Sequence, residues 1–388
     1  MNYSFTKRCR VLAVFGRAAS ALAVAGLVLA PFSQTTARAA DSTTAKASAE
    51  QMVTRGVEFL SKNQAPDGSF SGQAGPAVTA LVTAALLKSG RTPSDPVVAK
   101  ALKYLEGFIQ PDGGIYNPKG NHLNYETCIA ITCFTEANKD GRYNGLIDKA
   151  AALVRQMQWD DGEGHDKNSV NFGGAGYGSK KRPDLSNTAF MIDALKAAGA
   201  GSDDPALQRA LVFVSRCQNL ESEYNTTEFA AKNPDGGFYY TVAAGGASMA
   251  GNTPEGGLRS YGSMTYAGLK SMIFAGVNAD DPRVKAAVNW ASQHYTLTEN
   301  PGMGEAGLYY YYHTFAKALA AMQSPTVKDA TGKEHDWRAE LLAALAQRQQ
   351  PDGSWLNANN RWMESDPNLV TGYALLTLSY CRPAAAAK

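Results

Sequence analysis

The sequence has little charge and few cysteines. Asp, Glu, Lys and Arg make up 19% of the 388 residues and hydrophobic residues 44%, so the chain can bury a large core and is not of the disordered class. Its five cysteines are widely spaced and form no C-x-x-C pair, which argues against a zinc knuckle and against a disulfide-dense scaffold. The net charge of +2, without a basic stripe, predicts that nucleic acid is not a partner.

The first 39 residues have the pattern of a secretory signal peptide. Basic residues without any acid precede an apolar run over 18–32, and small residues follow at Ala37-Arg38-Ala39. We therefore predict a signal peptide over 1–39 and export to the periplasm or the extracellular space. Removing it changes the net charge from +2 to −3. A retained membrane anchor is the alternative, but the run is shorter than the roughly 20 residues that a membrane-spanning helix needs.

Two marks repeat along the rest of the chain. The first is an Asp-Gly turn, in most copies after Pro, found at Asp67-Gly68, Asp112-Gly113, Asp161-Gly162, Asp235-Gly236 and Asp352-Gly353. The second is a threonine near the start of an apolar helical run, found at Thr79, Thr127, Thr188, Thr265, Thr314 and Thr371. The fifth repeat differs from the others because it has Asn300-Pro301-Gly302 in place of Asp-Gly.

These marks predict an all-α fold of six helix pairs. The runs at the threonines are almost continuously apolar, as expected of inner helices, whereas the segments before the turns are amphipathic and fit outer helices. Neither terminal pair has a polar capping face, so closure into a ring is favoured. We predict an (α/α)6 toroid over 47–381, a flexible linker over 40–46 and a disordered tail over 382–388. Long insertions around 160–183 and 219–258 should lie beside the starts of the inner helices.

If the threonines share one height in the ring, the residues just before them form a polar and aromatic mouth. We predict ligand contact there from Glu126, Asp184, Asn187, Tyr261, Tyr311, Tyr312, His313 and Asp366. His313, Glu126 and Asp184 are the candidate catalytic acids or bases. Six helix N-termini would also converge there and favour an anionic or carbonyl-bearing group. The alternatives are that Asp184 and Asp366 only cap helices and that the tyrosines only pack.

Charged residues also occur deeper in the inner helices. Asp193 and Lys270 each lie five residues after a threonine, in successive repeats, and Lys317 lies three residues after its own. Because unpaired charges are costly inside a protein, we predict an ion pair between Asp193 and Lys270.

The repeat of helix, Gln-x-x-Asp-Gly-(Ser/Gly)-(Trp/Phe) and inner helix resembles the QW repeat of squalene cyclases and of protein prenyltransferase β subunits. The resemblance covers about 47–381 and implies a toroid whose central cavity holds isoprenoid chains. It does not extend to the chemistry. The cyclase segment D-x-D-D-T-A is matched by Asp184-Leu185-Ser186-Asn187-Thr188-Ala189, so the acids after the first are lost. Of the three prenyltransferase zinc ligands only the histidine is matched, by His313, while Arg259 and Tyr261 replace the others.

Three kinds of function stay open. The first is an exported protein that binds an isoprenoid or other apolar ligand without cyclase or zinc chemistry, with contact to a membrane surface as a further expectation. The second is an enzyme with altered chemistry on an isoprenoid or lipid, and the third is a glycan-processing toroid. We expect no zinc and no cofactor, and a calcium ion at 160–166 is a weaker alternative to a solvated loop.

Overall fold

The computed structural model describes residues 49–178 and 181–382. The predicted signal peptide and linker lie outside these residues, as does the predicted tail after Arg382. The outer helices are α1 (49–63), α3 (Pro96–Glu106), α5 (Asn144–Gln156), α7 (Pro205–Arg216), α10 (Pro282–Gln293) and α12 (Trp337–Arg348). The inner helices are α2 (Pro76–Lys88), α4 (Leu123–Ala137), α6 (Leu185–Ala197), α9 (Gly262–Phe274), α11 (Leu308–Ala321) and α13 (Pro367–Cys381).

Smaller elements lie between these helices. A short helix, α8 (Glu228–Lys232), interrupts the insertion before α9, and single 3₁₀ turns occur at Gly72–Ala74, Asp161–Glu163 and Arg361–Met363. One antiparallel hairpin, β1 (Val327–Lys328) with β2 (Glu334–His335), joins α11 to α12. None of the described helices is both long enough and apolar enough to cross a bilayer.

The inner helices form a closed ring, which confirms the predicted toroid. Each inner helix packs on the next, and α13 packs on α2, so the last repeat meets the first. The outer layer closes at the same place. The Arg55 guanidinium donates to the carbonyls of Gln350 and Pro351, and the Gln349 side chain donates to the carbonyl of Met52.

Burial explains the two hydrophobic patterns of the sequence. In α2 every residue from Pro76 to Leu86 is buried, because the helix is covered by its neighbours on the ring and by the outer layer. In α3 only Val98, Ala101, Leu102 and Leu105 are buried, at the spacing of one helical face. The outer helices α7 and α10 begin after Asp204 and Asp281, whose carboxylates accept N–H groups of the first turn.

The threonine mark has a structural cause. The Thr79 hydroxyl accepts the N–H of Phe70, the residue that follows the turn, and the Thr371 hydroxyl accepts the N–H of Trp355 in the same way. The phenyl and indole rings are fully buried against the inner layer. These two threonines therefore hold the aromatic residue after the turn against the start of the inner helix.

The turn glycine joins neighbouring repeats. Gly68 has a φ of 93°, and a Cβ atom added to it would lie 2.4 Å from the carbonyl oxygen of Lys100 in the next outer helix. Gly353 makes the equivalent approach to Arg55 across the closure of the ring. Only glycine allows both the positive φ and this distance.

The third and fifth repeats differ from the pattern read in the sequence. Asp161-Gly162 belongs to a 3₁₀ turn, and the glycine that approaches the next outer helix is Gly173, so an insertion separates the apparent turn from the real one. Thr188 accordingly accepts the N–H of Ala175. In the fifth repeat, the Asn300 side chain accepts the N–H of Ser263 at the start of α9.

Candidate functional site

A cavity of about 260 Å³ lies at the N-terminal ends of the inner helices. By the same measure a single water needs only about 10–15 Å³, so the cavity can hold part of an organic ligand. All six inner helices or their caps contribute to its wall, through Ala77, Val78, Tyr125, Glu126, Ser186, Phe190, Tyr261, Ser263, Met264, Tyr310, Leu369 and Tyr373. The cavity thus lies at the starts of the inner helices, the level at which the sequence predicted a polar and aromatic mouth.

Aromatic rings form much of this wall. The Phe190 ring packs edge-on against Tyr125, with centroids 5.1 Å apart, and stacks on Tyr310 at 6.1 Å. Tyr310 and Tyr373 follow at 6.0 Å, so the rings form a continuous band. The Ser186 and Tyr310 hydroxyls share a hydrogen bond of 3.0 Å, which fixes the orientation of Tyr310. The surface is apolar with a few fixed hydroxyl groups.

Glu126 is the acidic side chain of the wall that has one carboxylate oxygen without a hydrogen-bond donor among the described residues. It is 3% exposed, and its Oε2 accepts the N–H of Asn117 at 2.7 Å. Burial raises its pKa to about 7, against the smaller opposing effect of that hydrogen bond. A Cβ atom on Gly75 would lie 2.6 Å from Oε1, so the glycine leaves the space that this oxygen occupies. Glu126 can therefore gain or lose a proton near neutral pH.

The other carboxylates of the mouth hold helix starts. Asp184 accepts the N–H and the side-chain amide of Asn187, and Asp366 accepts the N–H groups of Asn368 and Leu369. Burial raises the pKa of Asp184 to about 6 against these hydrogen bonds. Both aspartates are thus caps of α6 and α13, the structural alternative that the sequence left open, and neither lies on the cavity wall.

Several predicted ligand contacts lie elsewhere in the ring. The Tyr311 and Tyr312 hydroxyls donate to the carbonyls of Thr296 and Leu297, so both rings lie between α11 and the segment after α10. Asn187 is buried beside Asp184 and His313 is 8% exposed, both outside the cavity wall. Of the eight predicted contacts, the wall contains Glu126 and Tyr261.

His313 lies one layer below the cavity. Its ring centroid is 5.7 Å from that of Tyr373, which belongs to the cavity wall. Burial lowers the pKa of His313 to about 3, and the ammonium of Lys317 acts in the same direction. The imidazole is therefore neutral at physiological pH and is a weak base.

The predicted ion pair is confirmed and has a third member. The Lys270 and Lys317 ammonium groups each lie 2.7 Å from Oδ2 of Asp193. Burial opposes ionisation of Asp193, but the two lysines outweigh it and hold its pKa below the usual value. This ion cluster of Asp193, Lys270 and Lys317 connects α6, α9 and α11.

The acidic loop 160–166 uses its carboxylates locally. Asp160 caps the 3₁₀ turn and forms an ion pair with Arg209 at 3.1 Å, and the His165 ring contacts the Ser169 hydroxyl. Within 49–178 and 181–382, no three His, Cys, Asp or Glu side chains are grouped so that they could hold a metal ion. The cysteines in this part of the chain are buried and unpaired.

The insertions and the last turn supply wall residues that the sequence did not mark, namely Tyr177, Tyr240, Met249, Trp362, Met363 and Glu364. Glu364 precedes α13 but accepts the N–H groups of Tyr309 and Tyr310, at the start of α11. A carboxylate just before a helix usually caps that same helix. The local sequence therefore gives no sign that Glu364 binds the start of a different helix. The remaining residues come from irregular segments without any period.

The cavity differs from a cyclase site in the residue that supplies the acidic group. Ser186 lies on the wall and Asn187 behind it, at the two positions where the cyclase segment has acids. A hydroxyl and an amide are not strong acids, whereas the Glu126 carboxyl is a proton donor at neutral pH. The geometry thus offers an apolar, aromatic cavity with two carboxyl groups, of which Glu364 is held by hydrogen bonds on both oxygens and Glu126 on one.

Comparison with known proteins supports the fold. Residues 73–244 match the family model of the squalene-hopene cyclase C-terminal domain. No curated protein sequence gives a significant match. Among solved structures, the apo form of the type II terpene cyclase MstE from Scytonema is similar, with 14% identity and a TM-score of 0.50 over 86% of this chain and 98% of that one.

Two glycoside hydrolases have similar structures. A family 88 glycosyl hydrolase from Bacteroides vulgatus has 10% identity and a TM-score of 0.51 over 86% of this chain and 98% of that one. A family 76 glycoside hydrolase from a bovine Bacteroides thetaiotaomicron strain has 11% identity and a TM-score of 0.51 over 85% and 77%. At such identities these structures show the fold alone. Together with the family match, they show that the chain is a terpene cyclase-like α/α toroid.

Proposed function

We propose that this protein is exported and binds an isoprenoid or similar apolar ligand in the cavity at the mouth of its toroid. The observation that carries the proposal is the wall itself, in which aromatic and aliphatic side chains from all six inner helices surround one space. Such walls are typical of sites for apolar ligands, with a few polar groups to orient them. The match to a squalene-hopene cyclase domain supports the same ligand class.

Export rests on the signal pattern in 1–39. An apolar ligand outside the cytoplasm would come from a membrane, and Trp362 and Met363, which are about two-fifths exposed at the rim, are suited to contact with its surface. Membrane contact is therefore part of the proposal.

Glycan processing is the second candidate, since two glycoside hydrolases share the fold. Most glycoside hydrolases use two carboxyl groups, one on each side of the bond that is cleaved. The two on this wall are Glu126 and Glu364, and the Glu364 carboxylate is bound to the N-terminus of α11 and to Asn357. One free carboxyl favours the apolar ligand. An enzyme acting on an isoprenoid stays the alternative within the first proposal, with Glu126 as its acid or base.

The test is ligand uptake by the purified full chain, followed by native mass spectrometry and fluorescence. We expect geraniol and longer polyprenols to bind and maltohexaose not to bind. Ala74→Trp places an indole at the cavity wall and should abolish uptake, whereas Ala152→Trp, on the exposed face of α5, should not. Binding of the oligosaccharide but not of the polyprenols would reject the proposal.

A further inference from the structure

The charge of the cavity wall is one-sided. The acidic side chains of the wall are Glu126 and Glu364, and no Lys or Arg of 49–178 or 181–382 belongs to it. Arg182 and Arg361 lie outside it, over the rings of Tyr240 and Trp362 at 5.6 and 4.4 Å. Within the described part of the chain, the wall itself therefore offers an anionic head group two acidic side chains and no cation.

The N-termini of the inner helices do not compensate for the lack of Lys and Arg on the wall. Their N–H groups usually attract anions, and the sequence led us to expect an anionic or carbonyl-bearing ligand. In the structure, protein side chains already accept N–H groups at four of the six inner-helix N-termini. Glu364 accepts N–H groups of α11, Asp184 one of α6, Asp366 two of α13, and the Asn300 amide one of α9. Three of these four acceptors are carboxylates, so three of the helix starts that could attract a phosphate already hold an acidic side chain.

On the cavity wall, Glu126 presents the one carboxylate oxygen that lacks a donor among the described residues. Its Oε2 is bound by Asn117, and Oε1 faces the space left by Gly75. The aromatic side chains of His122, Tyr125, Tyr177, Tyr310 and Tyr373 line the same cavity as Glu126. Aromatic rings together with a carboxylate are the surroundings in which proteins hold organic ammonium groups.

We propose that the ligand of this cavity carries a positively charged ammonium head group, held by Glu126 among the aromatic rings, and that phosphate-headed isoprenoids are excluded. This inference rests on the proposed binding of an apolar chain and specifies its head group. The raised pKa of Glu126 agrees with an ammonium head group. Burial raises this pKa because the ionised carboxylate is removed from water, and a bound ammonium would supply the opposite charge.

The experiment compares three ligands with one tail, geranylamine, geraniol and geranyl diphosphate, by calorimetry at pH 8. We expect geranylamine to bind about 10- to 100-fold more tightly than geraniol, because a hydrogen bond between charged groups is stronger than one between neutral groups. Geranyl diphosphate should not bind measurably.

Two variants test the contribution of the ligand's head group to binding separately from that of its tail. Glu126→Gln keeps the acceptor for the Asn117 N–H but removes the charge, so it should lose the preference for geranylamine and retain geraniol, which also shows that it is folded. Glu58→Gln, exposed on α1, should behave as the wild type. Diphosphate binding as tight as that of the amine, or an unchanged amine preference in Glu126→Gln, overturns the ammonium assignment alone. Failure of all three ligands to bind rejects the apolar-ligand proposal as well.

Discussion

At the scale of single residues, the decisive group is Glu126. Its carboxyl is buried in an aromatic wall, and its only described hydrogen bond comes from the Asn117 N–H. The wall around it contributes hydroxyl groups whose own ionisation lies far above neutrality, since burial raises the pKa of Tyr261 and Tyr373 well above the usual value. Glu126 is thus a group on the wall whose charge changes near neutral pH.

This charge makes stability depend on pH. Burial raises the pKa of Glu126 from 4.5 to about 7, so between these pH values the folded protein holds a proton that the unfolded chain has released. The stabilisation is complete below about pH 4.5 and is lost as the pH rises through about 7. Between pH 5 and 8, we expect the wild type to lose about 2–3 kcal/mol of unfolding free energy relative to Glu126→Gln.

Urea denaturation at each pH measures this difference. The groups that face Glu126, among them His122, Tyr104 and Tyr373, are the same in both proteins and cancel in the comparison. Glu58→Gln should follow the wild type. Parallel pH profiles for Glu126→Gln and the wild type would show that the carboxyl titrates normally.

At the scale of helices, the ion cluster joins three members of the inner ring. One aspartate serves two ammonium groups, and all three side chains are at most 15% exposed. The attraction within such a cluster adds little to the free energy of unfolding. Removing one member costs much more, because a buried charge without a partner is strongly unfavourable. The cluster therefore ties the relative positions of α6, α9 and α11 to one carboxylate.

Asp193→Asn should accordingly destabilise the protein by about 3–5 kcal/mol, since it leaves two buried lysines without a counterion. Lys270→Met leaves the pair of Asp193 with Lys317 and places an apolar chain near the Phe274 ring, so its cost should be clearly smaller. Chemical denaturation of both variants at pH 7 gives the comparison. Equal losses would mean that packing, and not charge, dominates at this position.

Periodic signals explain which parts of the site could be predicted. Of the contacts predicted from the threonine register, Glu126 and Tyr261 lie on the wall. The register does not say which way a side chain points. Consecutive helical residues are about 100° apart, so Tyr310 faces the cavity whereas Tyr311 and Tyr312 face the outer layer.

Irregular segments could not be predicted at all. Tyr177 and Tyr240 reach the wall from the two long insertions, whose location near the mouth was predicted but whose paths follow no period. The same insertions hid the true turn of the third repeat at Gly173. Contacts between repeats, such as Glu364 with the start of α11, depend on the closed ring and have no signal in the local sequence.

At the scale of the whole molecule, stability depends on closing the ring. At the closure, Gly353 approaches the carbonyl oxygen of Arg55, and a Cβ atom would lie 2.5 Å from it. Gly332, in the hairpin loop between β1 and β2, has a similar φ of 84° but no atom within 4 Å of an added Cβ. The two glycines thus differ in contact and not in conformation.

We expect Gly332→Ala to cost about 1 kcal/mol, the strain of a positive φ alone. Gly353→Ala should cost about 1–3 kcal/mol more, because the last turn must move away from the first helix. Thermal unfolding of the two variants, followed by circular dichroism, measures the difference. Equal melting temperatures would show that the ring tolerates a looser closure.

The buried layer beneath the cavity determines how molecules can travel. His313 and then the ion cluster occupy the interior below the aromatic wall, with side chains at most 15% exposed. None of these four side chains belongs to the cavity wall, so among the described residues the cavity ends above them. A guest has to leave by the route it entered, so occupancy blocks the next arrival, and a long polymer could insert an end but could never be threaded through.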